Sequence, residues 1–152
     1  MSRHRVPRAK QRTMETRPPT DEATSRRMSR QIAKDTGPEV ELRRQLRRLG
    51  LGYRIEFPLP GIPRRRCDIA FVGAKVAVFV DGCFWHSCPI HATLPVRNGE
   101  WWAAKLEANV SRDRDTDVRL RELGWLSVRV WEHEVPAEAA RRIAQVVLQR
   151  RR

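Results

Sequence analysis

Cysteine is scarce in this sequence. There are only three, an odd number, and two of them, Cys83 and Cys88, sit in a histidine-rich stretch. That argues against a disulfide scaffold and fits a reducing, cytoplasmic setting. Long apolar runs are missing: nothing approaches the roughly 20 apolar residues of a membrane-spanning helix, and no basic amphipathic anchor stands out. The N-terminal stretch lacks the apolar core of a secretion signal. Acidic residues are in deficit, 18 Asp and Glu against 31 Lys and Arg, for a net charge of +13 and a pI near 11.3. This imbalance leaves the fold open but points to a polyanionic partner, nucleic acid before membrane. Internal repeats are also absent. What is present is enough chain, 152 residues, for one domain with a real core, and five tryptophans, many for that length.

Residues 1–25 are rich in Arg, Pro and Thr without periodicity and read as a flexible basic tail, leaving residues 26–152 as the domain. Met28 and Ile32, four apart amid arginines, suggest a short helix that orders against a phosphate backbone. Thr36 and Glu39 have the spacing of a capping box, with Pro38 in the first turn of a helix that runs to about Leu49. A strand over 53–57 precedes a proline-stiffened loop and the arginines Arg64, Arg65 and Arg66. The next strand, 67–72, alternates Cys67, Ile69 and Phe71 against Asp68, Ala70 and Val72. Residues 73–75 turn it back into the apolar strand 76–80, a hairpin that stops at the turn signal Asp81-Gly82. A helix over 100–123 puts Trp102, Leu106, Val110, Asp113, Asp117 and Leu120 on one stripe, with Gly124 as its C-terminal stop. A strand over 125–131 and a helix from Pro136, with Ile143 and Val147 facing inward, complete a mixed α/β domain.

The chemistry concentrates after the apolar strand, in Cys83, Phe84, Trp85, His86, Cys88 and His91. Thiolates and imidazoles at short spacing suit tetrahedral zinc. One ligand set is local: Cys83, His86, Cys88 and His91. The other is spread, Cys83, Cys88, His91 and His133, and is preferred because the local set crams its ligands into nine residues. A zinc ion with four protein ligands is structural, so a reaction would lie elsewhere. The spread set leaves His86 free, and the hairpin brings Asp68 to the adjacent strand. A carboxylate inside an apolar strand is costly unless paired or metal-bound, although an edge position would expose it harmlessly. A carboxylate that holds Mg²⁺ beside an imidazole base is what phosphodiester hydrolysis requires. For His86 the ordinary alternative is a hydrogen-bonded core or surface histidine. Phe84 and Trp85 would ordinarily be core residues, but beside polar ligands on a basic protein they suit wedging into a base step. Trp101 and Trp102 form a second pair, of which one must face the core.

The segment Phe79-Val80-Asp81-Gly82-Cys83-Phe84-Trp85-His86 resembles the signature of the very short patch repair (Vsr) endonucleases, and the resemblance runs from about Met28 to His133. It takes in Arg66-Cys67-Asp68, the stretch from Asn109 to Asp113, and Gly124-Trp125 through Trp131-Glu132. It implies a restriction-endonuclease-like α/β fold, a central mixed β-sheet flanked by helices with a structural zinc site. It implies an enzyme that nicks double-stranded DNA at T·G mismatches left by deaminated 5-methylcytosine, with catalytic Mg²⁺. On the same basis Asp68 corresponds to the metal-binding aspartate, His86 to the catalytic histidine, and the Val80 backbone carbonyl to the second protein ligand to magnesium. Glu39 and Asp113 correspond to supporting acidic residues. Phe84, Trp85 and Trp102 correspond to aromatics that wedge beside the mismatch, and Met28 to a residue on the N-terminal arm that approaches the minor groove. Cys83, Cys88, His91 and His133 correspond to the zinc ligands. The sequence departs from the family where Val80 replaces a common threonine, Asp81 replaces the histidine of the best-known members, and His133 stands where a cysteine occurs.

The resulting expectation is a monomeric bacterial DNA repair enzyme of the cytoplasm and nucleoid, functionally linked to a cytosine DNA methyltransferase. Two rivals remain at this stage: a restriction- or homing-type nuclease that cuts paired duplex, and a non-catalytic zinc-stabilised DNA-binding module.

Overall fold

The computed structural model describes residues 36–83, 87–90, 96 and 98–152. The expected basic tail, the short helix around Met28, the aromatic pair Phe84 and Trp85, and both His86 and His91 lie outside the described residues. The described elements run α1 (Gly37–Arg48), β1 (Arg54–Pro58), β2 (Arg66–Phe71), β3 (Val76–Asp81), α2 (Gly99–Glu122), β4 (Leu126–Trp131) and α3 (Pro136–Arg150). Each element expected from Thr36 onward is present, with ends shifted by a residue or so. The apolar strand outlasts the expected turn signal, since Asp81 is the last residue of β3.

Helix α1 starts where Pro38 sits in the first turn with Glu39 beside it, and it ends on Arg47 and Arg48, so charge of each sign lies at the end of the helix dipole that favours it. The expected capping box does not form, because the Thr36 side chain makes no capping hydrogen bond. Pro38 at the second helical position has removed one of the two N–H groups such a cap could bind. Both α1 and α2 terminate in the same way. Gly50 and Gly124 adopt left-handed φ of 78° and 80°. The residues after them, Leu51 and Trp125, donate back to the carbonyls of Leu46 at 3.2 Å and Leu120 at 2.8 Å. This reversal favours glycine because a Cβ is strained at such φ.

The four strands form one mixed sheet in the order β1-β2-β3-β4. The first two pairings are antiparallel and β3 pairs with β4 in parallel. A parallel neighbour needs a crossover, and α2 supplies it. One face of the sheet packs Ile69, Phe71, Val76, Val78, Val128 and Val130 against Leu42 and Leu46 of α1 and against Ala140, Ile143 and Val147 of α3. The other buries Ala70 and Ala77 with Leu120 of α2 and Trp125. Phe57 stacks on Trp125 with ring centroids 5.9 Å apart. Cys67 differs from the expected alternation: it joins this second cluster with Leu59 and Ile62, where the β1–β2 connection packs on the start of β2. Burial pushes its thiol up to about 12, with the neighbouring Asp68 charge adding to the effect, so Cys67 is an inert core residue. No helix among the described residues is long and apolar enough to cross a membrane.

Candidate active site and metal centre

The sheet register collects the candidate residues at one end. Arg66, at the start of β2, lies opposite Pro58 at the end of β1. The β2–β3 pairing matches Ile69 with Val78, so β3 runs on from Val78 toward the start of β2. Asp81, its last residue, pairs with Trp131 at the end of β4. Asp68 therefore stands on an interior strand, between β1 and β3, which removes the edge-strand explanation for a carboxylate there. Its Oδ2 accepts a 2.7 Å hydrogen bond from the Val80 N–H, two residues past the Ile69–Val78 pair. In an extended strand the N–H and C=O of one residue project to the same side. The Val80 carbonyl thus projects toward the side where the Asp68 carboxylate lies. A carboxylate and a backbone carbonyl are both hard oxygen donors, and this pair suits a hard divalent cation.

Just beyond β3, Cys83 and Cys88 turn back on one another through a 2.9 Å backbone hydrogen bond from Cys88 N–H to Cys83 O. His133, two residues after β4, meets them. Its Nδ1 is 3.2 Å from Cys83 Sγ and 3.7 Å from Cys88 Sγ. The three donor atoms lie within 4.8 Å of one another. Glu132 accepts the Cys83 N–H at 3.0 Å, and the indole of Trp131 stacks on the His133 ring. Burial, the adjacent Cys88 thiol and the Glu132 carboxylate together push the Cys83 thiol up to about 12. Two thiols beside an imidazole form the donor chemistry of a tetrahedral zinc site. His133 rather than a purely local set joins the cysteines, which matches three members of the spread set. Its fourth, His91, is outside the described residues.

A third cluster was not foreseen. Arg129 of β4 points into the face covered by α2 and is enclosed by carboxylates. Its Nη1 reaches both oxygens of Asp81 at 3.2 Å, and its Nη2 reaches Asp117 Oδ1 at 2.9 Å. Nη2 also donates to the Asp113 carbonyl at 3.3 Å, and Asp113 Oδ1 lies 3.7 Å from Nη1. The Phe79 ring centroid is 4.4 Å from the guanidinium carbon. Burial opposes the Arg129 charge, but the Asp117 hydrogen bonds and the charges of Asp81, Asp117 and Asp113 outweigh it and raise the pKa. The departure at position 81 has a physical basis here: the buried aspartate is one half of an ion pair with β4. Two signals were available in the sequence. Asp113 and Asp117 fall on the inward stripe of α2, and Arg129 alternates with Val128 and Val130 and so faces the same side as Ala77 and Phe79.

Of the remaining candidates, Glu39 sits in the first turn of α1, where its carbonyl accepts from Arg43 Nε at 3.4 Å. Trp102 is the buried member of the tryptophan pair at 2% exposure, edge-on to Trp101, which is 39% exposed. Met28, Phe84, Trp85 and His86 are outside the described residues.

The family model for DNA mismatch endonuclease Vsr matches residues 19–91. The chain is 44% identical over 119 residues to the type II nicking enzyme V.NaeI of Lentzea aerocolonigenes, covering 76% of this chain and 71% of that protein. It is 37% identical over 115 residues to the DNA mismatch endonuclease Vsr of Escherichia coli strain K12, covering 74% and 71%. It is 37% identical over 106 residues to the type II nicking enzyme V.XorIIP of Xanthomonas oryzae, covering 68% and 74%. The signature around residues 79–86, the mixed sheet with helices on both faces and these relatives agree: the chain belongs to the Vsr family of DNA mismatch endonucleases.

Proposed function

We propose that this chain is a Mg²⁺-dependent DNA endonuclease that nicks one strand of a duplex beside a T·G mismatch arising from 5-methylcytosine deamination. The observation that carries this reading is the Asp68 carboxylate on an interior strand, 2.7 Å from the Val80 N–H, in a family of DNA-acting enzymes. The net charge of +13 supports a polyanionic substrate. The mixed sheet with helices on both faces is consistent with a restriction-endonuclease-like fold.

Asp68 and the Val80 carbonyl would hold Mg²⁺, which when bound offsets negative charge on the scissile phosphate. His86 takes a proton from the attacking water as its oxygen bonds to phosphorus and one P–O ester bond breaks, leaving a phosphate end and a hydroxyl end. Asp113 supports the site through Arg129, to which its own carboxylate is held. Glu39 has a supporting role from the first turn of α1. Cys83, Cys88, His91 and His133 would hold zinc, fixing the chain that carries Phe84, Trp85 and His86. Phe84, Trp85 and Trp102 would wedge beside the mismatch, although Trp102 is buried at 2% exposure, edge-on to the exposed Trp101 ring. Met28 approaches from the other groove. The protein acts as a monomer, and its substrate arises where a cytosine DNA methyltransferase has been active.

The test is nicking of a labelled duplex carrying one T·G mismatch with Mg²⁺, beside a T·A control and Asp68→Ala protein. Nicking that depends on the mismatch and disappears in Asp68→Ala is the expected result. Equal cutting of both duplexes would replace the proposal with a restriction-type nuclease. Binding without any cutting would replace it with a non-catalytic DNA-binding module.

A further inference from the structure

Residues 58–66, between β1 and β2, are more built than a connector needs to be. Pro58, Pro60 and Pro63 restrict the backbone, and Gly61 and Arg64 adopt left-handed φ of 70° and 65°. For arginine that conformation is uncommon and is held only when the surroundings dictate it. Here they do. Leu59 and Ile62 are buried beneath the segment, and the Leu59 N–H donates to the Arg65 carbonyl at 2.9 Å. Arg65 is bolted to α2 through Asp115 at 2.7 Å and Thr116 Oγ1 at 2.8 Å. The result is a rigid strap around an open cleft of about 350 Å³, lined by Leu59, Ile62 and the three arginines Arg64, Arg65 and Arg66 among others.

Arg65 has its carboxylate partner. Arg64 and Arg66 are exposed, and the Arg66 guanidinium is steadied by the Glu56 carbonyl at 3.0 Å. Their position gives them meaning. Arg66 is two residues before Asp68 on β2, about 7 Å from it along the chain by the rise of a strand. Arg64 lies two residues further from Asp68, in the left-handed turn that leads into β2. The guanidinium is a planar fork that matches phosphate oxygens, and a rigid mount lowers the ordering cost of using it.

We propose that the 58–66 strap is a DNA-backbone-binding surface on which Arg64 and Arg66 grip phosphates of the strand leading to Asp68, with Arg65 as the post that fixes it to α2. The inference rests on the reading of the substrate as DNA but does not need the chemistry. It also makes the strap indifferent to sequence and mismatch, since phosphate contacts position a protein without reading bases.

The experiment measures binding of the full chain, without Mg²⁺, to fluorescent duplexes with one T·G mismatch and with T·A, by anisotropy across a series of NaCl concentrations. The variants are Arg64→Gln/Arg66→Gln and a charge-matched control, Arg151→Gln/Arg152→Gln. Each lost phosphate contact lowers the slope of log K against log salt by about 0.9. The strap variant is therefore expected to lose about 1–2 units of slope and to weaken about tenfold or more, by the same factor on both duplexes. The control should fall well short of that. An unchanged slope, an equal loss in the control, or a loss confined to the mismatched duplex would each overturn the proposal. Because cutting is not read, failure of the nicking assay and failure of the strap are separate outcomes.

Discussion

Replacing Arg129 by methionine tests whether the carboxylates of β3 and α2 depend on one guanidinium. Methionine keeps an apolar stem against Phe79 and removes the charge alone. Removing one partner of a buried ion pair costs about 3–5 kcal/mol, because the other charge stays desolvated. Here the Asp81 side chain is 6% exposed and cannot recover water, whereas Asp113 and Asp117, at 24% and 31%, partly can. A loss of about 2–4 kcal/mol is therefore expected, of which the Phe79 contact contributes ~0.5–1 kcal/mol. For a chain of this size that corresponds to a Tm lower by roughly 5–12 °C. Urea unfolding of wild type, Arg129→Met, Asp81→Asn and the double variant measures the pair directly. Neutralising Asp81 in the Arg129→Met background should restore part of the loss, with a coupling of about 1–3 kcal/mol. Additive single effects, or an Arg129→Met cost below about 1 kcal/mol, would refute the reasoning.

Elemental analysis of the purified protein should find about one zinc per chain, and Cys88→Ala should lose both the metal and much of the thermal stability; zinc-free wild type would remove the metal centre. Asp115 is held below the usual carboxylate range, first by the Arg65 hydrogen bond, with burial opposing. Its contribution is thus present above the unfolded value of about 3.9 and lost as pH falls through the lower folded value, so the Tm gap between wild type and Asp115→Asn should be open at pH 6–7 and close toward pH 3. Both partners are substantially exposed, so the gap should be small and should shrink with salt. Trp102→Ala should cost about 3–5 kcal/mol in urea unfolding as a core deletion, whereas Trp101→Ala should leave stability nearly unchanged and weaken DNA binding.

The elements were legible because each carries its own periodic signal. Leu42 and Leu46 mark the buried face of α1, and Ile143 and Val147 that of α3, at helical spacing. Gly50 and Gly124 mark ends that require left-handed backbone. The meeting of His133 with Cys83 and Cys88 was also legible, because four ligands within nine residues would have been strained. What sequence spacing misses is pairing between distant positions. Arg129 lies 48 residues from Asp81, and strand alternation gives its face but not its partner until β3 and β4 are known to be parallel neighbours. Arg65 and Asp115 are 50 residues apart for the same reason. The capping box failed differently: the spacing was right, but the Thr36 side chain makes no capping hydrogen bond.

These unforeseen pairs share a consequence for the site. Asp81, Asp113 and Asp117 meet at Arg129, and Arg65 meets Asp115 and Thr116, so α2 is tied by charge to β4, to the end of β3 and to the 58–66 strap. Among the described residues, α2 joins the apolar cluster on this face of the sheet through Leu120, near its far end, while Trp102 and Leu106 are buried nearer its start. Apolar packing alone is non-directional and would let the rest of α2 slide or tilt. Hydrogen-bonded ion pairs fix orientation, because a guanidinium fork tolerates little displacement from its carboxylates. On the proposed reading, Asp68, the Val80 carbonyl and the strap must hold their relative positions while a highly charged duplex docks on them. A site whose supporting helix is keyed by Arg129 and Arg65 meets that demand with residues that never touch the substrate. It follows that Arg129→Lys, which keeps the charge but loses the fork, should preserve most of the stability that Arg129→Met forfeits while nicking falls more than DNA binding does. If nicking and stability instead track one another across these two variants, Arg129 contributes to folding alone.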